Sequence, residues 1–285
     1  MNSFPTTREL KLRARHTMAG AFGPCLMAAF LLTVAGFLMT ELLRRSGGAI
    51  QMYFWPTDSS DIPSSLSLSA EGLFAALRVE EAGMGISVAI TPAMLVRVLG
   101  IQLLAAALIA PLRVGAFGQL WAARRGEPKP TLSLFAAYAD LRRAGQAIVL
   151  EVVLTAIQLV LQAALLIPAV LLLGDVGMSV EGVAAVLWTA LLGLGLAWCL
   201  MTPFVPARYL LARHETATAG QALAGAFVLL RGVTGRYLRL RLSFALWEIC
   251  SALFNGVVEL YLFPYRGMAS IAWIEAREEE MKGHL

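Results

Sequence analysis

The stretch from Ser243 to Arg277 concentrates the ionisable side chains that could do chemistry inside an otherwise apolar sequence. Glu248, Glu259 and Arg266 lie there among aliphatic, aromatic and small residues. A carboxylate in a hydrocarbon environment is costly unless it is paired with a cation or neutralised. We therefore expect Arg266 to pair with Glu259 or Glu248, with Glu151 as a further partner, or water to reach these groups.

Helical spacing groups these residues further. Glu248, Ser251 and Asn255 follow one another at intervals of three and four residues, so a helix would place them on one face. Glu259 and Arg266 are seven residues apart and would share a face in the same way. The pattern is open to three interpretations: an ion pair that fixes helix register, a polar pocket or proton-linked site, or a catalytic pair of carboxylates.

A second set of polar residues, Glu151, Thr155, Gln158 and Gln162, recurs at helical spacing inside another apolar run. A polar stripe on a membrane helix should face protein or water rather than lipid. The stripe either forms hydrogen bonds between helices, worth roughly 0.6–2 kcal/mol per contact, or forms one wall of a cavity. The candidate intramembrane pocket therefore contains Glu151, Gln158, Gln162, Glu248, Asn255, Glu259 and Arg266.

Motifs of known catalytic chemistry do not occur in this sequence. It contains no GxSxG, HExxH, SxxK or Walker A pattern. The cysteines, Cys25, Cys199 and Cys250, all lie in apolar runs without disulfide or metal-ligand spacing, and the histidines are far apart. We therefore expect no catalytic residue, no metal site and no cofactor, and a protein that is not an enzyme.

Composition predicts the elements that position these side chains. Hydrophobic residues make up 58% of the chain and charged residues 15%, whereas soluble domains carry roughly 25% charged residues. A soluble fold of this length could not bury so much apolar surface. We therefore predict an all-α, polytopic helical membrane bundle that forms a single domain over residues 1–285. About twenty apolar residues cross a bilayer core, and the predicted spans are 21–40, 92–118, 147–173 and 183–202.

The basic residues between the spans predict orientation. Segments 1–20, 119–146 and 207–242 carry four, five and six Lys or Arg residues, whereas 41–91 and 174–182 carry three and none. Short loops rich in Lys and Arg stay in the cytoplasm. We therefore predict a cytoplasmic N-terminus and an extracytoplasmic loop at 41–91. Because the net charge of +4 follows this membrane pattern, we do not expect a nucleic-acid partner.

The cytoplasmic segments predict contact with lipid. Residues 1–20 can form an amphipathic helix with Leu10, Ala14 and Met18 on one face, which is either an orientation signal or a helix lying on the anionic inner leaflet. Further short helices are predicted at 70–79, 134–141 and 218–231. The residues expected to contact inner-leaflet lipid are Arg13, Arg15, Arg124, Arg125, Arg236, Arg239 and Arg241.

The C-terminal stretch leaves the number of spans open. If residues 243–263 form a single span, the chain has five spans and its C-terminus lies outside. If residues 236–254 and 257–277 form a hairpin turned at Asn255-Gly256, a favoured turn pair, the chain has six spans and both ends lie inside. Pro264–Tyr265 is expected to break the helix in this region.

Several short motifs resemble a known family when taken in order. They are Leu10-Lys11 with Ala14-Arg15, Pro111-Leu112 with Gly115, Leu134-Phe135, Ser243-Phe244 with Trp247, and Pro264-Tyr265. In this order the chain resembles the bacterial domain-of-unknown-function 975 integral membrane proteins, over most of its length except the first external loop. It departs from them at Ala272-Trp273, where the family has Phe-Tyr, and at Asn255, where it has glycine. The resemblance implies six spans in a bacterial cytoplasmic membrane, with both ends of the chain in the cytoplasm. It implies no biochemical activity.

Two functions are compatible with these patterns. The first is a structural, regulatory or protective role without catalysis, exerted through binding of membrane lipids or of a membrane-protein partner. The second is a transporter or lipid-handling protein with a polar cavity among the third, fifth and sixth spans. Dry, fully paired packing of Glu151, Glu248, Glu259 and Arg266 would favour the first function, and a cavity beside them would favour the second.

Overall fold

The computed structural model describes residues 4–45, 49–56, 64–69, 78–81, 84–88, 92–127, 129–175, 180–253 and 257–283. Its helices are α1 (Thr7–Gly20), α2 (Phe22–Arg45), α3 (Pro92–Arg124), α4 (Ala136–Ala139), α5 (Leu141–Asp175), α6 (Val180–Leu200), α7 (Val205–Arg213), α8 (Ala219–Leu230), α9 (Thr234–Leu253) and α10 (Glu259–Lys282). Its strands are β1 (Ala49–Pro56), β2 (Ser64–Ser69), β3 (Arg78–Glu81) and β4 (Met84–Val88). Short 3-10 turns lie at Thr131–Phe135 and Thr202–Phe204.

Four helical stretches in the described part of the chain are long and apolar enough to cross a membrane. They are Phe22–Met39, Leu99–Arg124, Leu141–Leu166 and Ala184–Arg213. Only 17–28% of the apolar window in each stretch is buried, so large side chains such as Trp188 and Leu192 point outward. Apolar surface of this extent is typical of proteins that contact a membrane. The prediction of long apolar helices is confirmed at these four places.

The C-terminal stretch forms two helices rather than one. α9 ends at Leu253 and α10 begins at Glu259, so an uninterrupted span over 243–263 is not formed. The expected turn at Asn255-Gly256 lies outside the described residues. Charged side chains interrupt both helices, and neither is among the stretches apolar enough to be a membrane span by composition.

The expected break at Pro264–Tyr265 is wrong, because α10 continues through both residues. A proline inside a helix removes the hydrogen bond to the carbonyl four residues earlier. Here that carbonyl belongs to Leu260, which lies in the first turn of α10. The helix therefore gives up one bond near its start and keeps the remainder of its ladder.

The segment between α2 and α3 contains a small antiparallel sheet, although the sequence predicted a loop there. The strand order is β2-β1-β4-β3. β2 and β4 read as alternating polar or small and apolar residues, SSLSLS and MGISV, and alternation with a period of two favours strand. The helix predicted at 70–79 lies largely outside the described residues, and its last positions, Arg78 and Val79, belong to β3.

The chain divides into two compact units, which are described separately. The first contains Met1–Phe37, Ala106–Leu154 and Met201–Leu285, and the second contains Leu38–Ala105 and Thr155–Leu200. The first unit holds the interior described below, including the fully buried Trp273. Within the second unit, Leu166, Ala169 and Ala190 form a buried apolar cluster between α5 and α6.

α1 begins with a capping box, in which Thr6 and Glu9 satisfy each other's backbone N–H groups. Its apolar residues Leu10, Ala14 and Met18 are buried, and the helix packs along α10. The apolar face of α1 is therefore occupied by protein.

Close backbone approach explains two of the helix glycines. A side-chain carbon at Gly115 would collide with the backbone carbonyl of Leu134, so the connection after α3 folds directly back onto that helix. In the second unit, a side-chain carbon at Gly193 would lie 2.5 Å from the backbone oxygen of Leu165.

The connection after α3 is the 3-10 turn followed by α4, in place of the single helix predicted over 134–141. The short helix predicted at 218–231 is present as α8.

Candidate functional site

The carboxylate of Glu151 is bound by two arginines from other helices. Arg113 Nη1 on α3 donates to Glu151 Oε2 at 2.6 Å. Arg208 on α7 donates through Nε to Oε1 at 2.8 Å and through Nη2 to Oε2 at 2.9 Å. The Glu151 side chain is only 2% exposed. We call these three residues the Glu151 cluster.

The helices that carry the Glu151 cluster are fixed against one another by neighbouring contacts. α7 begins with Pro206 in its first turn, where a missing N–H costs no helical bond, and Arg208 follows two residues later. Trp121 Nε1 on α3 donates to the backbone oxygen of Tyr209 on α7 at 2.9 Å. Arg208 binds the Glu151 carboxylate in bidentate geometry, which is the strong form of an arginine–carboxylate ion pair. The cluster therefore joins three helices that are distant in sequence.

Arg266 occupies the centre of a second cluster with the opposite composition. Its Nη1 donates to Glu248 Oε1 at 2.5 Å and its Nη2 donates to Glu259 Oε1 at 2.9 Å. Ser251 Oγ lies 3.5 Å from Glu259 Oε2. The prediction that Arg266 pairs with a carboxylate of this stretch is confirmed, and both carboxylates take part. We call Arg266, Glu248 and Glu259 the Arg266 cluster.

The carboxylates of the two clusters differ in exposure, since Glu151 is 2% exposed. The side chains of Glu248, Glu259 and Arg266 are 20%, 29% and 27% exposed. Both clusters lie in the first compact unit. Arg241 on α9 donates to Thr202 Oγ1 at 2.9 Å in the same unit. The first unit therefore contains several separate sets of paired charged and hydroxyl groups.

The remaining members of the predicted pocket are Gln158, Gln162 and Asn255. Gln158 is exposed and Gln162 is half-buried, and both belong to the second unit. Asn255 lies outside the described residues. Glu151 is bound by Arg113 and Arg208, and Arg266 is bound by Glu248 and Glu259, so the stretch 243–277 and α5 contribute to separate clusters.

Arginines of the predicted inner segments form ion pairs with acids of α10. Arg124 Nε contacts Glu275 at 2.9 Å, Arg213 Nη1 contacts Glu278 at 2.6 Å, and Arg236 Nη1 contacts Glu280 at 3.3 Å. Arg277 Nη1 also contacts Glu280, at 2.5 Å, and this hydrogen bond lowers the pKa of the Glu280 carboxyl. Among the predicted lipid-contact residues, Arg13, Arg15, Arg125 and Arg239 are exposed. Arg236 is also exposed, with 55% of its side chain accessible, whereas Arg124 and Arg241 are half-buried.

Sequence reasoning missed the roles of Arg113 and Arg208. Arg113 is a lone cation two residues after Pro111 in an apolar run, which is a signal for an interior ion pair. Arg208 lies in the basic segment 207–242, where the sequence predicts no helix corresponding to α7.

No family model, curated protein or solved structure matches this chain.

Proposed function

We propose that this chain is an integral membrane protein with a structural, regulatory or protective role, exerted without catalysis through binding of lipid or of a membrane-protein partner. Its proposed setting is the bacterial cytoplasmic membrane, with six spans and both ends inside, as in the domain-of-unknown-function 975 family that it resembles. α9 and α10 provide the fifth and sixth spans. Their charges are largely paired with one another or with neighbouring helices, which lowers the cost of placing them at membrane depth.

The observation that supports a non-catalytic role most directly is the state of Glu151. Its oxygens accept three guanidinium hydrogen bonds, and its side chain is 2% exposed. A general acid or base must reach the group with which it exchanges a proton. A carboxylate that is enclosed and bound in this way links helices through ion pairs.

The orientation is tested by single-cysteine labelling in a variant without the native cysteines. Cysteines placed at Asp58, Arg125 and Arg239 are exposed to a membrane-impermeant maleimide on intact cells. We expect labelling at position 58 alone, and labelling at 125 and 239 only after the membrane is permeabilised. Labelling of 125 or 239 on intact cells would overturn the orientation, and recovery of the chain in the soluble fraction would overturn the membrane location.

The partial exposure of the Arg266 cluster favours one alternative, a transporter or lipid-handling protein. Its carboxylates are 20% and 29% exposed, so a solute or proton could reach them more easily than Glu151. Liposomes containing the purified protein and an internal pH dye test this alternative. A proton flux that Glu259→Gln abolishes would favour transport over the non-catalytic role, whereas a flux equal to that of protein-free liposomes supports the role proposed here.

A further inference from the structure

A cleft of about 440 Å³ opens beside α1, and its charged lining is entirely cationic. Thr7, Arg8, Lys11, Leu12 and Arg15 line it from α1, and Tyr265 lines it from α10. None of the described residues that line the cleft is acidic. The cleft thus has one electrostatic sign, unlike the two ion clusters of the interior.

The amphipathic pattern of α1 explains why its cations collect here. Leu10 and the other buried residues occupy one face, so Arg8, Lys11 and Arg15 align along an adjacent face at intervals of three and four residues. Glu9 is the neighbouring acid, but its carboxylate accepts the backbone N–H of Thr6 at 2.7 Å. The start of a helix also carries partial positive charge. These features all favour an anion beside the first turns of α1.

The cations differ in how firmly they are held. Lys11 Nζ donates to the backbone oxygen of Ser243 at 3.0 Å and lies 4.3 Å from the centre of the Phe244 ring. Burial lowers the pKa of the Lys11 ammonium, and an anion in the cleft would offset that cost. Arg8 and Arg15 are exposed, and neither forms an ion pair with another described residue. Their guanidinium groups are available to a ligand.

The cleft also has an apolar and aromatic lining, formed by Leu12 of α1 and Tyr265 of α10. Leu12 is 45% exposed. Tyr265 packs edge-on against Phe244, with ring centres 5.3 Å apart, and lies 5.8 Å from the ring centre of Tyr261. Tyrosine is enriched where a protein meets the membrane–water interface. A ligand that matches both the cations and this apolar lining has an anionic head and an apolar body.

We infer that this cleft binds an anionic phospholipid, with the phosphate between Arg8 and Arg15 and an acyl chain along Leu12 and Tyr265. Guanidinium groups bind phosphate oxygens in paired geometry, and three cations without an acid favour a lipid of net negative charge over a zwitterionic one. A free phosphate would leave the apolar lining unused. This inference rests on the proposed membrane location and deepens it by naming the lipid class.

The test uses the full-length protein in neutral detergent, mixed with equimolar phosphatidylglycerol and phosphatidylcholine, with native mass spectrometry as the readout of bound lipid. The variant R8Q/R15Q removes both available arginines. The control R142Q/R231Q removes two exposed arginines that neither line the cleft nor belong to the predicted lipid-contact residues, so the change in net charge is the same. Circular dichroism reports whether each variant keeps its helices.

We expect the wild type and the control to retain phosphatidylglycerol preferentially. R8Q/R15Q should bind it about 25-fold more weakly, roughly fivefold for each arginine near an anionic headgroup. An equal loss in the control, or no preference in the wild type, would overturn the inference. Displacement of the lipid by glycerol phosphate at the same concentration would also overturn it, because the site would then recognise phosphate alone.

A photoactivatable phosphatidylglycerol gives an independent readout on the unmodified protein, so a folding defect in the variant does not leave the question open. Crosslinks in peptides 4–20 and 261–266 support the assignment, and crosslinks only elsewhere contradict it. Failure of these tests in a protein that still passes the cysteine-labelling test removes the lipid site alone. Failure of the labelling test removes the membrane location itself.

Discussion

The Glu151 and Arg266 clusters are built from the same two residue types in opposite proportions. Glu151 is one carboxylate between two guanidinium groups, which leaves a formal charge of +1. Arg266 is one guanidinium group between two carboxylates, which leaves a formal charge of −1. The two clusters therefore carry excess charges of opposite sign within one compact unit.

Enclosure and chain connectivity distinguish the two clusters more than charge does. Glu151 is 2% exposed and bonds residues that are 38 and 57 positions away in the chain. Arg266 is 27% exposed and bonds residues 18 and 7 positions away. The first cluster therefore holds distant helices together, and the second fixes two consecutive helices. An ion pair predicted from one polar stretch can therefore be local, whereas the ion pairs that link helices distant in sequence involve other parts of the chain.

Replacing Glu151 should have the largest effect on stability. Glu151→Gln leaves Arg113 and Arg208, which are 32% and 24% exposed, without their enclosed carboxylate. Breaking a buried ion pair costs up to roughly 3–5 kcal/mol. Thermal unfolding in detergent, followed by circular dichroism, measures the loss. Glu215→Gln is the matched control, because Glu215 is 69% exposed and pairs with Arg143 at 3.3 Å. Equal effects of the two substitutions would remove the distinction between an enclosed ion pair and a surface pair.

Single replacements in the Arg266 cluster should cost less than Glu151→Gln. Glu248→Gln or Glu259→Gln leaves Arg266 with one carboxylate, and losing one hydrogen bond to a charged group costs about 1.5–3 kcal/mol. The double replacement removes both carboxylates, so its effect should exceed the sum of the single effects. The same unfolding assay measures all three variants. Strict additivity would show that the two carboxylates act independently.

The difference in access can be measured on the native side chains. A water-soluble carbodiimide with an amine nucleophile labels reachable carboxylates, and peptide mass spectrometry quantifies the labelling. We expect Glu259 to react faster than Glu248, and Glu151 to remain unlabelled, in the order of their exposure. Rapid labelling of Glu151 would show that water reaches the cluster that supports a non-catalytic role.

The smallest effect is expected at the end of α10, where Glu280 contacts Arg277 and Arg236. Because its pKa is lowered in the folded state, the carboxylate stabilises the protein above its unfolded pKa, and this contribution is lost as pH falls through its folded pKa. The side chain is 25% exposed, and such pairs are worth below about 1 kcal/mol. Glu280→Gln should lower the unfolding temperature slightly at neutral pH and leave it unchanged in acid. An effect that persists in acid would contradict this assignment.

The sequence predicted the long apolar helices and the partner of Arg266, because both depend on local composition and short spacing. Arg266 and its carboxylates lie on consecutive helices, where few pairings are available. The partners of Glu151 could not be chosen in this way, since Arg113 and Arg208 come from helices whose packing is set by tertiary contacts. The expectation of a break at Pro264 treats every interior proline alike. The helical hydrogen bonding that a proline removes depends on its distance from the start of the helix.

The acids at the end of α10 also carry a consequence for biosynthesis. Arg124 and Arg213 precede Glu275 and Glu278 in the chain by many residues, so each arginine leaves the ribosome before its counter-ion exists. Without a partner, each cation contributes fully to the charge bias that directs insertion under the proposed orientation. Once α10 is made, Glu275 and Glu278 form ion pairs with the same arginines. Under the proposed orientation, the cations that direct insertion during synthesis therefore stabilise the folded protein.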